Sequence, residues 1–358
     1  MDSPTSNTRR SIVGSLREPA YAMVLLLGTW YMLGELKSVM RPLLLAVFMG
    51  YVLLPTYTKL RKRWPVPLAM GLLVGGTSLI LVGITAAVTG SLVDLTDQAP
   101  ALKSRAVFLI HSLGEWIATL PFVGPAQAGA KPLETQIAEV ATENGLKLVS
   151  LVALGIPEAL AAGLYLLFLF IEAGKFPARV RRVYRSEQAE ELLDIFGHIN
   201  SAVVSYLKAK VNSSLVLAIP VFFVLWLLGV KFAILWAVLT FVCNFIPYLG
   251  SVVAWSLPAG FAFLQWDGTT TPIVVASLLL VWHGTNAAII EPMIVGRAVG
   301  LSPLVILLAL SLWGLLWGIP GMFMAVPLTV VGRIILENVP FTRQMALLTS
   351  EDTTEKPD

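Results

Sequence analysis

Residues 232–266 and 303–336 form two apolar blocks, each too long to cross a membrane once and each broken near its middle by Pro and Gly. As a single α-helix, the first block would be about 52 Å long at 1.5 Å per residue, against a hydrocarbon core about 30 Å thick. In "CNFIPYLGSVVAWSLP" (243–258) the break sets Asn244 beside Pro247, Gly250 and Ser251. In "LLWGIPGMFMAVP" (315–327) it sets Gly318 beside Pro320 and Gly321. Proline removes a backbone donor and clashes with the preceding turn, and glycine permits a tight reversal. Ser251 is of a type that caps a following helix. An arm over 232–245 would reach about 21 Å, past the midplane but not across.

Aligning Pro247 with Pro320 also pairs Ile246 with Ile319, and each break is followed by a glycine and a second proline, Pro258 or Pro327. This reads as a weak internal repeat. Two architectures fit it. Each block is a re-entrant helical hairpin, its irregular backbone tolerated where it is buried or lines a wet cavity. Alternatively, each is one kinked full span.

The remainder of the chain reads as membrane protein. Of 358 residues 56% are hydrophobic and 13% charged, and the mean hydropathy is +0.79. A soluble domain cannot hide that much apolar surface, so the fold class is an all-α polytopic membrane protein with about eight membrane segments. Six segments besides the two blocks are expected at 19–36, 39–58, 66–93, 148–173, 211–230 and 272–295. The one cysteine, Cys243, excludes an internal disulfide and a multi-cysteine metal site. No cofactor or metal is expected.

Basic residues set the orientation. "KLRKR" (59–63) follows the second span, and Lys175, Arg179, Arg181, Arg182 and Arg185 follow the fourth. The region 94–147 has six acidic and four basic residues, so no basic excess. The tail at 1–18 is therefore expected to be cytoplasmic, as is the tail at 338–358. Spans 1–3 occupy 19–93, the region 94–147 is extracytoplasmic with amphipathic helices at 102–120 and 133–152, and span 4 lies within 148–174. A cytoplasmic basic and amphipathic segment covers 175–210, where Arg179, Arg181, Arg182 and Arg185 set topology or meet anionic lipid. The transport core is 211–337. With span 5 running outward, the first hairpin enters from outside and the second from inside, an inverted repeat that leaves Arg297 inside. Kinked spans would put Arg297 outside.

Polar groups inside a membrane are costly and mark function or interhelical contacts. The substrate-binding candidates are Asn244, Pro247, Gly250, Ser251, Asn286, Gly318, Pro320 and Gly321. For ion or proton coupling they are Glu291, His283 and Glu158, with Glu158 expected at the outer interface. Lys210, near the inner end of span 5, is expected to snorkel. The chain contains no H-E-x-x-H, no phosphate-binding G-x-x-x-x-G-K-[ST] and no G-x-S-x-G, so no enzymatic motif, and nothing in it reads as a nucleic-acid-binding module.

The stretches "NFIPYLGS" (244–251) and "EPMIVGRAVGLSPLVILLALSLWGLLWGIPGMFMAVPLTVV" (291–331) resemble the autoinducer-2 exporter family, nearest to the exporters for which it is named. "LKAKVNSSL" (207–215), "LLGVKFAILWAVLTFV" (227–242) and "RPLLLAVFMGYVLLP" (41–55) agree with that resemblance. It implies a bacterial inner-membrane transporter of about eight segments that forms homo-oligomers, as pentamers. Autoinducer-2 export is the family's namesake activity, and other members act as sodium (lithium)/proton antiporters. The expectations for function are export of a small polar signal by alternating access, a cation/proton antiporter, or a non-transporting scaffold or receptor that senses through 94–147. The expected partners are a small-molecule substrate, a proton or sodium ion, and membrane lipid.

Overall fold

The computed structural model describes residues 21, 23–25, 27–118, 158, 160–295 and 300–338, and these are helical apart from short connections. The helices are α1 (Met23–Glu35), α2 (Lys37–Arg61), α3 (Val66–Ala118), α4 (Leu160–Ala173), α5 (Phe176–Val183) and α6 (Ser186–Leu227). They continue as α7 (Ala233–Cys243), α8 (Leu249–Gln265), α9 (Thr270–Thr285), α10 (Glu291–Val295), α11 (Pro303–Trp317) and α12 (Ile319–Asn338). A five-residue π turn, Asn286–Ile290, joins α9 to α10 within one rod, Thr270–Val295.

Among the described residues five helices are long and apolar enough to cross a membrane, or six if α4 and α5, bent by 53°, count as one. The count falls short of eight because α1, where the first span was expected, and both helices of the first block, α7 and α8, are too short to cross. The expected helix at 133–152, Arg297 and both tails lie outside the described residues.

Two expected boundaries are continuous helix. The third span does not stop at residue 93, and α3 runs 53 residues, about 80 Å, taking in the helix expected from 102. Of its apolar 18-residue window only 6% is buried within the chain. The amphipathic segment before residue 210 is likewise the first half of α6, a 42-residue helix. Hydropathy marks where the surroundings change, and here the backbone hydrogen-bond ladder runs on through that change.

Both long blocks fold back on themselves. In the first, Lys231 N–H donates to Gln265 Oε1 at 2.8 Å while Gln265 Nε2 donates to Gly229 O at 2.8 Å. Trp236 and Phe261 then meet ring to ring, and Gly250 lies against the Cys243 carbonyl. Each step toward the break pairs a later residue of α7 with an earlier one of α8, so the arms are antiparallel. In the second block, Arg333 Nη1 donates to Gly300 O at 2.6 Å, Ala309 and Leu310 pack on Ala325, and Gly314 lies against Met322. Again the arms run antiparallel, with the turn at Gly318.

The turns differ in chemistry. At the first, Tyr248 has φ 62° and ψ −56°, and Leu249 N–H reaches Pro247 O at 2.7 Å. This is a γ-turn of the rare, strained hand, carried by a tyrosine. Gly250 does not make the reversal. A Cβ there would lie 1.7 Å from Cys243 O, so glycine is what lets the arms touch. At the second turn Gly318 reverses the chain with φ 71°, and Gly321 permits the touch, since a Cβ there would lie 2.0 Å from Trp313 O. Pro320 sits in the first turn of α12, where its missing donor costs nothing. Ser251 does not cap α8; its hydroxyl donates to Tyr248 O at 3.2 Å.

An aromatic cluster joins the two fold-backs. Phe245 stacks on Phe323 of α12 with centroids 5.3 Å apart, and meets Phe48 of α2 edge-on at 5.3 Å. Such pairs contribute about 0.5–1.5 kcal/mol each beyond their buried area. At the far end α3 holds the base of the first fold-back, with Lys231 Nζ donating to Gln98 Oε1 and Arg105 Nη2 to Trp266 O. Arg105 also pairs with Asp267 at 3.1 Å.

Candidate functional site

A cavity of about 460 Å³ opens where the tip of the first fold-back meets the base of the second. The first contributes Asn244, Pro247, Tyr248 and Ser251, and the second contributes Gly300, Leu301 and Pro303. Tyr206 and Lys210 come from α6, and Glu291 from the first residue of α10. The tip of the first fold-back and the base of the second therefore come together at this cavity. A smaller cleft of about 220 Å³ between α2 and α4 is lined mainly by apolar groups.

The cavity's strongest feature is an ion pair. Lys210 Nζ bonds Glu291 Oε1, with Lys210 only 2% exposed and the Glu291 side chain 29% exposed. Lys210 does not snorkel. A lysine this deep keeps its charge only with a partner, and the α6–α10 crossing supplies one from 81 residues away. Sequence proximity carries no trace of that pairing. The available signal was a lone lysine and a lone glutamate, each at the edge of an apolar run.

Three buried faces converge beside this pair. On α6 the buried residues run Leu225, Val221 and Leu217, then Ser214, Ser213 and Lys210. On α7 Trp236 is followed one turn later by Thr240, and then by Asn244 just past the helix end. On α9 and the π turn they run Val275 and Leu279, then His283 and Asn286. Along each face apolar residues give way to polar ones toward the cavity, and on α6 apolar Leu207 and Val203 follow beyond Lys210. Two contacts set the α6–α9 register, Trp282 Nε1 to Leu217 O at 3.1 Å and Lys210 to Glu291, so Ser213, Ser214 and Asn286 fall between them. Asn244 Nδ2 donates to buried Ser214 Oγ at 3.0 Å, which ties the tip of the first fold-back to α6. The π turn lies at this level, and such turns recur at functional sites because they re-aim side chains.

Of the residues singled out from sequence, Asn244, Pro247, Ser251 and Glu291 line the cavity. Gly250 lies behind them, shaping the tip. Asn286 and His283 are buried along the polar face that leads from it, with His283 Nδ1 donating to Leu279 O at 2.9 Å. Gly318, Pro320 and Gly321 are not brought to the cavity. Gly318 instead sits by Arg41, whose Nε donates to Trp317 O at 3.0 Å and so satisfies the C-terminal end of α11. Glu158 belongs to that distant cluster, 3.8 Å from Arg41 and 39% exposed. The backbone N–H groups of Leu249 and Gly250 are taken by Pro247 and Ile246 carbonyls, which removes two donors a substrate could have used at the start of α8. Arg179 pairs with Glu172 and Arg181 with Glu190, while Arg182 and Arg185 are exposed.

The protein is similar to the AI-2 transport protein TqsA of Escherichia coli, at 29% identity over 312 residues, 87% of this chain and 89% of that one. It is equally similar to YhhT of Escherichia coli, 29% over 313 residues and 86% of each chain. PerM of the same organism shares 23% over 333 residues, 89% and 92% of the two chains. The model of the AI-2E family transporters matches residues 21–341, and the chain belongs to that family.

Proposed function

We propose that this protein is a secondary transporter of the bacterial inner membrane that exports a small polar signalling molecule of the autoinducer-2 type by alternating access. The observation that carries this reading is the cavity itself. It joins an ion pair, the Asn244 amide and the hydroxyls of Tyr206, Tyr248 and Ser251 at the meeting point of two helix pairs. Broken helices that meet near a membrane midplane are how secondary transporters hold substrates. In this reading each fold-back is a re-entrant hairpin, and together they form an inverted repeat. With the basic runs in the cytoplasm, the cavity faces inward and loads from there. Asn244, Ser251, Lys210 and Glu291 contact the solute. The termini are cytoplasmic, and the protein works as a homo-oligomer, a pentamer by resemblance to its family.

A second reading has one observation in its favour. A cation/proton antiporter needs a titratable carboxylate within the membrane, and Glu291 is a carboxylate on the cavity wall. Proteoliposomes separate the two readings. Uptake of autoinducer-2 that Asn244→Ala reduces, with insertion unchanged, supports the exporter. Proton movement driven by a sodium gradient, without uptake of the signal, supports the antiporter.

A further inference from the structure

Two buried hydroxyls near the cavity behave unlike other helical hydroxyls of the chain. Thr77, Ser91, Thr285, Ser311 and Thr329 each donate to the carbonyl four residues earlier. Ser213 and Thr240 make no such bond and have no other protein partner, although both are fully buried. Two acceptors share this condition. Asn286 Oδ1 is buried without a partner, and so is His283 Nε2, the lone-pair nitrogen when Nδ1 donates to Leu279. A buried group left unmet in this way is costly when kept from water. All four lie on the polar stretches of the three faces beside Lys210 and Glu291, and farther toward Val221, Trp236 and Leu279 those faces become apolar.

We propose that the cavity continues past Lys210 and Glu291, between α6, α7 and α9, as a polar passage for water and small hydroxylated solutes. It runs by Ser213 and Asn286 to Thr240 and His283. Two hydroxyls and two acceptors suit a water, which can donate twice and accept twice and so serve groups too far apart to bond directly. The passage ends where Val221, Leu225, Trp236, Val275 and Leu279 pack into one apolar cluster. That cluster is the closed section of the route, and Ser213 to His283 is the buried section that admits water. The proposal rests on the reading of the cavity as the transport site, but it is tested without flux.

The test uses thiol access in purified, full-length protein with Cys243→Ser. Ser213→Cys and Thr240→Cys replace one hydroxyl each by a thiol. Val221→Cys, on the same buried face of α6, is the dry control. Reaction with a small cationic methanethiosulfonate is expected to be at least about tenfold faster at 213 and 240 than at 221, since a dry site reacts only through local opening. Equal, slow reaction at all three positions would overturn the passage, even if the protein transports autoinducer-2. Fast reaction at 213 and 240 with no flux would leave the passage standing and count against the proposed transport function. If a cysteine variant fails to fold, hydroxyl-radical footprinting of the unsubstituted protein reads the same property. His283 should be modified at least about tenfold faster than Leu279 one turn away, and equal protection would overturn the proposal.

Discussion

Lys210 of α6 and Glu291 of α10 form an ion pair on the wall of the cavity, with the lysine almost wholly removed from solvent. Two charges taken out of water are stable only together, and removing one strands the other. Lys210→Met and Glu291→Gln should each destabilise the protein by about 3 kcal/mol, the low end for a buried pair, because Glu291 keeps some exposure. The double variant should recover most of that loss, read by thermal melting in detergent. Recovery of stability without recovery of transport would assign the pair a role in the solute path.

Gly250 and Gly321 allow the two arms of each fold-back to touch. A Cβ would meet a backbone carbonyl at 1.7 Å and 2.0 Å, and backbone cannot step aside as a flexible side chain can. Gly250→Ala and Gly321→Ala should each cost about 3 kcal/mol or more and lower the yield of folded protein. Gly260, in the same helix as Gly250, has open space around it, and Gly260→Ala should stabilise by about 0.5–1 kcal/mol.

These sites show how much of the fold was legible. Block length and the Pro/Gly breaks located both turns to within a few residues. Charge placement implied opposite directions for the two blocks. The chemistry of the turns was not legible, because nothing in "IPYLG" tells that the tyrosine, not the glycine, takes the positive φ. Nor was the Lys210–Glu291 pair. Each residue sits where a hydropathy trace ends a span, and a charge at a span end has an ordinary explanation. The symmetry of the repeat placed Gly318, Pro320 and Gly321 with Asn244 and Pro247, whereas they do not line the cavity. The second tip lies instead at Arg41, because the second fold-back meets the cavity with its base.

Tyr248 carries backbone strain at the cavity wall. Tyr248→Gly should relieve about 1 kcal/mol of it, so the variant should melt no lower than the parent. Its transport should fall, because strain and the ring together hold the tip. A melting temperature well below the parent would mean that packing of the ring outweighs the strain.

Arg41 and Glu158 separate two roles at the far tip. The carboxylate is 39% exposed and 3.8 Å from the guanidinium, so Glu158→Gln should cost about 0–1 kcal/mol and leave the pH profile of transport unchanged. Arg41→Ala also strips the Trp317 carbonyl of its partner and should cost about 1–3 kcal/mol. Equal losses for the two variants would show that the ion pair, rather than the bond to Trp317, holds this tip.

The most direct measurement is autoinducer-2 uptake into proteoliposomes, comparing the parent with Lys210→Met, Glu291→Gln paired with Lys210→Met, and Glu158→Gln. If the cavity is the transport site, saturable flux is present in the parent, lost in both variants that alter the cavity pair even where stability recovers, and retained in Glu158→Gln. Undiminished flux in the folded double variant would contradict it.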